Sequence, residues 1–218
     1  MSSASDAHIS RKRDAVRILH ILNECGDLLH KPPLGVPDAV KVINSQKKLQ
    51  ALDFWVRNPD YLAHELINQY RSRKDESLLD AAETVMAGNE PELRRLGMLR
   101  FYFGAFESIV DTVASLKMLG LADLTRKISG NPPTIKQRDY YLLKAGEEKA
   151  AELAQDPILK WYAERAALVG RVANQRSGAV LKKEQHKVAS YHNARWGEII
   201  APITNEVRGE LAKAKAEL

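Results

Sequence analysis

Apolar side chains recur every three to four positions through much of the chain, which predicts a mainly helical protein. A first amphipathic helix is predicted over 10–24 and ends at Gly26, because glycine favours helix termination. The segment 31–37 is predicted as a loop, since three of its seven residues are proline. Helical spacing resumes from Ala39 to Arg57. Asn58-Pro59 then indicates a new start, with proline at the first helical position.

The segment 101–152 changes from helical to strand periodicity and back. Its apolar positions predict a helix from Phe106 to Leu119, followed by strands over 121–128 and 135–143. The residues between the strands, 129–134, are rich in turn formers, and another helix follows the second strand. This order resembles the second half of a winged helix-turn-helix domain. The predicted fold is therefore mainly α, with a winged-helix-like unit that has one β-hairpin as its wing.

The rest of the chain is also predicted to be helical. Two helices follow Asn58-Pro59, and the second of them is acidic. The last long helix is expected to kink near Pro157, and the terminal helical stretch is interrupted around Pro202. The predicted organisation is a disordered tail over 1–9, a winged-helix-like domain over 10–174 and a helical extension over 175–218.

Composition is that of a globular protein, with 44% hydrophobic and 28% charged residues among 218. The chain is long enough to bury a core without disulfides, and its one cysteine, Cys25, lies in the apolar stripe of the first helix. No apolar run approaches the roughly 18 residues that a membrane span needs, and Met1 to Asp6 do not resemble a signal peptide. These features predict a cytoplasmic protein without a membrane partner.

Charge is distributed unevenly, although the net charge is only +5. The basic stretch, defined here as residues 165–195, holds seven Lys and Arg against one carboxylate, Glu184. Between Lys74 and Arg94 there are six carboxylates and no cation. The basic stretch is open to three interpretations: a solvated helix face, a phosphate-binding surface, or a match to the acidic helix within or between subunits.

The helix before the hairpin is poorly suited to reading DNA bases. It carries Glu107 and Asp111 with a single ammonium, Lys117, whereas base edges are read mainly by Arg, Lys, Asn and Gln. The hairpin and the basic stretch are better suited to phosphates. The candidate DNA-contacting residues are Arg126, Lys127, Lys136, Arg138, Arg171, Arg176, Lys182, Lys183 and Lys187. The candidate partner-contacting residues are Trp196, as an interface anchor, and the acidic Glu76, Asp80 and Glu83.

The sequence lacks the common catalytic and metal-binding patterns. The chain has no P-loop and no Gly-x-Ser-x-Gly turn, and none of its six histidines is paired at i, i+4 spacing. Asp139 with Glu147 and Lys149 is the nearest approach to a nuclease-like set. A carboxylate at Glu147 is equally expected at a helix N-terminus. The sequence therefore predicts a protein that is not an enzyme and holds no cofactor or metal.

Four segments together resemble a known family. They are Leu49 to Trp55, Leu116 to Leu121, Tyr140 to Leu143 and Asp156 to Ala166. This layout is similar to the middle component of bacterial three-component ABC-ATPase systems, among them the Lamassu-type defence systems. The resemblance implies a non-catalytic accessory subunit that acts with an SMC-like ATPase and a nuclease-type effector against phage or plasmid DNA.

A second class fits the same fold prediction. A winged-helix transcription regulator would form a homodimer through its long terminal helices and would direct the helix that contains Asp111 at DNA. In the accessory-subunit interpretation, by contrast, contact with duplex DNA is limited to phosphates and is independent of sequence. The helix before the hairpin discriminates between the two classes, because Glu107 and Asp111 would point at DNA only in a regulator.

Overall fold

The computed structural model describes the backbone of residues 4–88, 99–101, 104–106, 109–195 and 197–218, and the side chains of 12–88, 109–195 and 197–218. Within these ranges helices predominate over a small antiparallel sheet, which confirms the predicted mainly α character with a β-hairpin. The helices are α1 (Ala4–Cys25), α2 (Gln46–Arg57), α3 (Pro59–Arg73), α4 (Ser77–Ala87), α5 (Val110–Met118), α6 (Lys144–Leu153), α7 (Lys160–Ala173), α8 (Gly178–Gln185), α9 (Ala189–Asn193) and α10 (Thr204–Ala216). The strands are β1 (Asp27–Leu28), β2 (Ala39–Asn44), β3 (Leu99–Phe101), β4 (Gly104–Phe106), β5 (Ala122–Ser129) and β6 (Thr134–Leu143).

The chain divides into two compact units. The helix–sheet unit comprises Met1–Asp53 and Glu107–Lys182, and the helical unit comprises Phe54–Phe106 and Lys183–Leu218. Each unit is therefore assembled from two separate stretches of sequence. The tail, domain and extension predicted from the sequence stay a prediction.

The helix–sheet unit is built around α1. Its Ile18, Leu19, Ile21 and Leu22 are fully buried, because their spacing places them on one helical face. This helix packs against α5, α6, α7 and the sheet strands β2 and β6. The sheet has the order β1-β2-β6-β5, and its neighbouring strands are antiparallel.

Residues 39–57, predicted as one helix, form a strand and then a helix. Val42 and Ile43 are β-branched and pair with Tyr141 and Tyr140 of β6, so the strand is favoured by cross-strand packing that local periodicity does not reveal. Ser45, with φ 137°, separates β2 from α2. The prediction of a single helix here was wrong.

The helix predicted from 106 to 119 is shorter in the structure. It begins at Val110, and Phe106 belongs to β4, which pairs with β3 at Leu99. The run of aromatic residues around Gly104 favours extended backbone over helix. The predicted hairpin is confirmed, because β5 and β6 pair along their lengths.

Pro157 marks a break between two helices rather than a kink within one. Here α6 ends at Leu153 and α7 begins at Lys160. The carboxylate of Asp156 accepts hydrogen bonds from the backbone amides of Ile158 (2.8 Å) and Leu159 (3.0 Å). An aspartate that bonds the following amides stabilises a turn and the start of the next helix, which explains the break.

Cys25 ends α1 in a packed environment. Its thiol donates a hydrogen bond to the carbonyl oxygen of Ala166 at 3.3 Å. Burial, with a smaller effect of Glu24, raises the pKa of the thiol to about 12. The thiol therefore stays protonated and unreactive at neutral pH.

In the helical unit, α3 packs against α4 and α10. Asn58-Pro59 does begin a helix, as predicted. Buried Asp60 accepts hydrogen bonds from the Ile203 amide (2.7 Å) and the Thr204 hydroxyl (3.3 Å), which ties the start of α10 to α3. Among the described residues, no helix is both long and apolar enough to cross a membrane.

Candidate nucleic-acid interface

The β5–β6 hairpin has two faces of different chemistry. Directly opposed residues of antiparallel strands point to the same face, and successive residues alternate between faces. From base to tip, one face carries the cross-strand pairs Ala122–Leu142, Leu124–Tyr140, Arg126–Arg138 and Ile128–Ile135. The pairs near the base contribute to the core and those near the tip are solvent-accessible. We call the third pair the arginine rung and the fourth the isoleucine rung.

The base of the hairpin is fixed by α6. The amide of Leu143 donates to the carbonyl oxygen of Leu121 at 3.1 Å, where the hairpin joins α6. A Cβ at Gly146 would collide with that same carbonyl oxygen, so only glycine lets α6 approach so closely. The outer half of the hairpin therefore extends from a rigid base.

No described carboxylate neutralises the arginine rung. Two like charges directly opposite each other destabilise a hairpin. Nη1 of Arg138 donates to the neutral side-chain oxygen of Gln46 at 2.6 Å, and Arg126 is exposed. Both guanidinium groups lie near Tyr140, whose pKa burial raises to about 12 while Arg138 and Arg126 oppose the rise. Uncompensated positive charge at this position is typical of a surface that binds anions.

The opposite face of the hairpin is internally satisfied. Nζ of Lys127 lies 3.5 Å from a carboxylate oxygen of buried Asp139, which also accepts a hydrogen bond from Gln137. Lys136 falls where the register shifts between Lys127 and Ile128, so it has no cross-strand partner and is exposed. Of the four predicted hairpin cations, Lys127 forms an ion pair, whereas Arg126, Lys136 and Arg138 form none with a carboxylate of the described residues.

Helix α5 precedes the hairpin and would face a DNA groove in a winged helix. Its sequence contains no Arg, Asn or Gln. The hydroxyl of Ser115 donates to the Asp111 carbonyl oxygen at 2.8 Å, and Lys117 forms an ion pair with Asp123. Asp111 itself is exposed, and the side chain of Glu107 lies outside the described residues. The exposed face of α5 therefore offers little to read base edges.

Several cations of the basic stretch serve the fold. Arg165 is buried with its guanidinium 4.9 Å from the ring centre of Trp161, and burial lowers its pKa to about 10. Arg176 donates to the carbonyl oxygens of Ala173 (3.1 Å) and Val172 (2.7 Å), which caps the end of α7.

The remaining cations of the basic stretch are distributed over several elements. Lys187 lies 3.5 Å from a carboxylate oxygen of Glu184. Arg171 on α7 and Lys183 on α8 are exposed, and Lys182 is half-buried. Lys182 belongs to the helix–sheet unit and Lys183 to the helical unit. The structure therefore does not gather these predicted DNA-contacting residues on one element.

The acidic helix has a cation of its own. Nζ of Lys215 on α10 lies 3.8 Å from a carboxylate oxygen of Asp80 and forms an ion pair with Glu83. The hydrogen bond that Lys215 donates to Glu83 raises the pKa of Lys215, with a further contribution from Asp80. Glu76 is exposed, and Trp196 lies outside the described residues. The basic partner of α4 in the helical unit thus comes from α10.

The nuclease-like set from the sequence does not converge on one centre. Glu147 pairs with Lys41 at 3.3 Å and Lys149 with Glu152, while Asp139 is held by the hairpin. In the part of the chain that the structure describes, no group of three His, Cys, Asp or Glu side chains is placed to hold a metal ion.

Sequence reasoning missed the isoleucine rung. Ile128 ends the first predicted strand and Ile135 begins the second, and the structure leaves their side chains 59% and 41% exposed. The available signal was their distance from the hairpin turn. Strand positions next to an exposed turn extend beyond the core, so an apolar residue there cannot be buried within its own unit.

Comparisons of this chain with protein-family models, curated proteins and solved structures return no match.

Proposed function

We propose that this chain is a non-catalytic accessory subunit that contacts the phosphates of duplex DNA through its hairpin and does not read sequence. The arginine rung is the observation that carries the proposal. Arg126 and Arg138 oppose each other on an exposed hairpin and form no ion pair with the described carboxylates. The two cations repel each other in the free protein. When both contact phosphates, they are attracted to the DNA and displace its condensed counterions.

The proposal includes a winged-helix arrangement of the helix–sheet unit. It is supported by the element order α1, β2, α2, α5, β5, β6 and α6, in which β6 lies between β2 and β5. A winged helix has this order of elements and this strand order. The helical-unit stretch Phe54–Phe106 begins within the last turn of α2 and ends before α5. The hairpin would then be the wing.

The proposed partners come from the family resemblance. They are an SMC-like ATPase and a nuclease-type effector, in a complex that acts in bacterial defence against phage or plasmid DNA. In such a complex this subunit would hold DNA while its partners perform the chemistry. Exposed Glu76 on the acidic side of the helical unit, with Asp80 and Glu83, is the proposed docking region for a basic partner surface.

A sequence-specific regulator is the competing function. A regulator would need base-reading side chains on α5, yet the exposed Asp111 of α5 would place a negative charge against the negatively charged DNA. Phosphate contact without base readout fits the described side chains better.

DNA binding across a salt series tests the proposal. The variant Arg126→Gln/Arg138→Gln is compared with Lys149→Gln/Lys160→Gln, which removes the same charge from exposed helical ion pairs of the same unit. The hairpin variant should lose affinity for any duplex. Its affinity should also depend less steeply on salt concentration, by the amount expected for about two lost phosphate contacts. Equal losses in both variants would show a response to net charge alone and would refute the hairpin site.

Co-purification tests the partners. A tagged chain co-expressed with the candidate ATPase and effector should retain both, and Glu76→Lys should weaken that retention. Glu164→Lys, at an exposed position on α7 of the other unit, is the control. Retention of neither partner by the wild-type chain would contradict the accessory-subunit function.

A further inference from the structure

We infer that the isoleucine rung is an apolar wedge that enters the minor groove of duplex DNA and partly separates two stacked base pairs. The inference rests on the proposed function, since the arginine rung must first bring the hairpin to the phosphates. It goes further because it assigns a mode of binding and a preferred form of DNA: duplex that is already distorted or easily unstacked.

The placement of the two isoleucines is the first argument. Ile128 and Ile135 are direct cross-strand partners, so their side chains leave the same face of the hairpin side by side. Both are substantially exposed, although single exposed apolar residues are common on protein surfaces. Ile128 follows Arg126 by two residues on β5 and so shares its face, while β6 accommodates the extra residue Lys136 between Arg138 and Ile135. The pair thus joins exposed apolar surface to uncompensated positive charge.

The turn at the end of the hairpin is the second argument. The exposed turn over 130–133 contains two prolines and a glycine and adds no bulky side chain. The isoleucine rung therefore lies close to the end of the hairpin, with no large side chain beyond it to hold it away from a groove.

The chemistry of minor-groove wedges is the third argument. Proteins that kink DNA from the minor groove insert Ile, Leu, Met, Phe or Pro between base steps, and cations beside the wedge hold the phosphates. Unstacking costs free energy, and the cost is smallest at a mismatch, a gap or a flexible step. A wedge therefore converts sequence-independent contact into a preference for deformed DNA.

An anionic membrane is the other surface that combines negative charge with an apolar interior. Stable membrane attachment needs a larger apolar area than two isoleucine side chains supply. The hairpin face next to the isoleucine rung carries arginines on both strands rather than further apolar residues. DNA is therefore the favoured partner, and vesicles of phosphatidylserine and phosphatidylcholine form a separate arm of the test.

The test compares an intact duplex with duplexes that have a central mismatch or a single-nucleotide gap. All of them carry 2-aminopurine at the same position next to the centre. The wild-type chain should bind the mismatched or gapped duplex about tenfold more tightly than the intact one, and should raise 2-aminopurine fluorescence as the base unstacks. Ile128→Thr/Ile135→Thr should abolish both effects, because threonine keeps the β-branched shape but is polar. Ile158→Thr, a more exposed isoleucine before α7, should change neither.

The outcomes separate the wedge from the proposed function. Salt-dependent binding without preference for distorted DNA, and with unchanged 2-aminopurine fluorescence, overturns the wedge and leaves the phosphate site in place. Failure of the wild-type chain to bind any duplex overturns both. Binding to vesicles that Ile128→Thr/Ile135→Thr removes, with no DNA unstacking, would overturn the wedge in favour of a membrane contact.

Discussion

Two regions of this protein, the basic stretch and the β5–β6 hairpin, are both rich in Lys and Arg, but their cations have different surroundings in the structure. In the basic stretch, Arg165 lies in the core against Trp161, and Arg176 caps the end of α7. In the hairpin, Arg126 and Arg138 oppose each other without a carboxylate among their described partners. The basic stretch has the larger charge excess, yet the hairpin offers more of its charge to a ligand.

The difference shows that net charge along a sequence is a poor measure of a binding surface. A guanidinium that donates to helix carbonyls, or packs on an indole ring, stabilises the fold and is not available to phosphate. A guanidinium opposite another guanidinium costs stability in the free protein. Such a cost is expected where the charge serves a ligand. The predictions below test this division, from the largest effect to the smallest.

Removal of the Arg165 side chain should lower the stability of the protein and leave its DNA binding unchanged. Arg165→Ala removes a buried side chain that packs on Trp161, so we expect the free energy of unfolding to fall by about 3 kcal/mol. Denaturant titration measures this change. Folded Arg165→Ala should still bind DNA as wild type does. A loss of DNA affinity without a loss of stability would place Arg165 on the binding surface instead.

His20 is a second basic side chain that lies in the core, where burial disfavours its charged form. It is buried in α1, and both ring nitrogens are without a hydrogen-bond partner in the described residues. Burial lowers its pKa from 6.5 to about 4. The unfolded chain therefore takes up a proton near pH 6.5 that the folded chain takes up only near pH 4, so stability falls as the pH falls through this window.

The expected contribution of His20 is about 2–3 kcal/mol between pH 7 and pH 4. It is measured as the difference between wild type and His20→Leu, whose apolar side chain cannot titrate. The carboxylates of the protein contribute equally to both. Parallel stability curves for the two proteins over this pH range would contradict the assignment.

The arginine rung should carry the largest single share of DNA affinity. For Arg126→Gln/Arg138→Gln we expect about a tenfold loss at moderate salt, because two charge-assisted phosphate contacts are removed. Thermal stability should stay level or rise slightly, since the like-charge repulsion disappears. Fluorescence anisotropy and thermal unfolding on the same samples test both parts. A destabilised variant with unchanged affinity would reverse the comparison between the two regions.

Arg176 should show a smaller structural effect. Arg176→Ala removes two hydrogen bonds to the last carbonyls of α7, and we expect a loss of about 1 kcal/mol in unfolding free energy. Arg171→Ala, one exposed residue on the same helix, should cost much less and serves as the control. Equal losses for the two variants would remove the capping role.

The smallest effect is expected from Lys182 and Lys183. Lys182→Glu/Lys183→Glu should weaken binding to every duplex alike by about threefold and reduce the salt dependence slightly. The two residues are consecutive on α8 and therefore point in directions about 100° apart, so they are not expected to act as one phosphate clamp. A loss confined to one DNA sequence would contradict phosphate contact at these positions.

The hairpin was predictable from sequence because its signals are local. Alternating apolar residues flank a turn with Gly130 and two prolines, and β5 and β6 form where this pattern predicts them. The strand at 39–44 was not predictable in the same way. Val42 and Ile43 are stabilised by pairing with Tyr141 and Tyr140, about a hundred residues further along the chain.

The candidate site was predicted only as a set of charged residues. Sequence identified the hairpin cations, but it gave Lys127 and Arg126 equal weight. Asp139 distinguishes them, because the strand register places its carboxylate beside Lys127 and not beside Arg126. The exposure of Ile128 was indicated only by its closeness to the turn, since tertiary packing sets how far the hairpin extends beyond the helices.

The most direct test of the account measures binding of the purified chain to random-sequence duplex DNA across a salt series, with the DNA upstream of its own coding sequence as competitor. The account predicts weak, salt-sensitive binding in which the upstream DNA competes no better than random DNA. Strong preference for the upstream DNA would contradict it, and would make the protein a sequence-specific regulator that reads bases by side chains other than those of the hairpin.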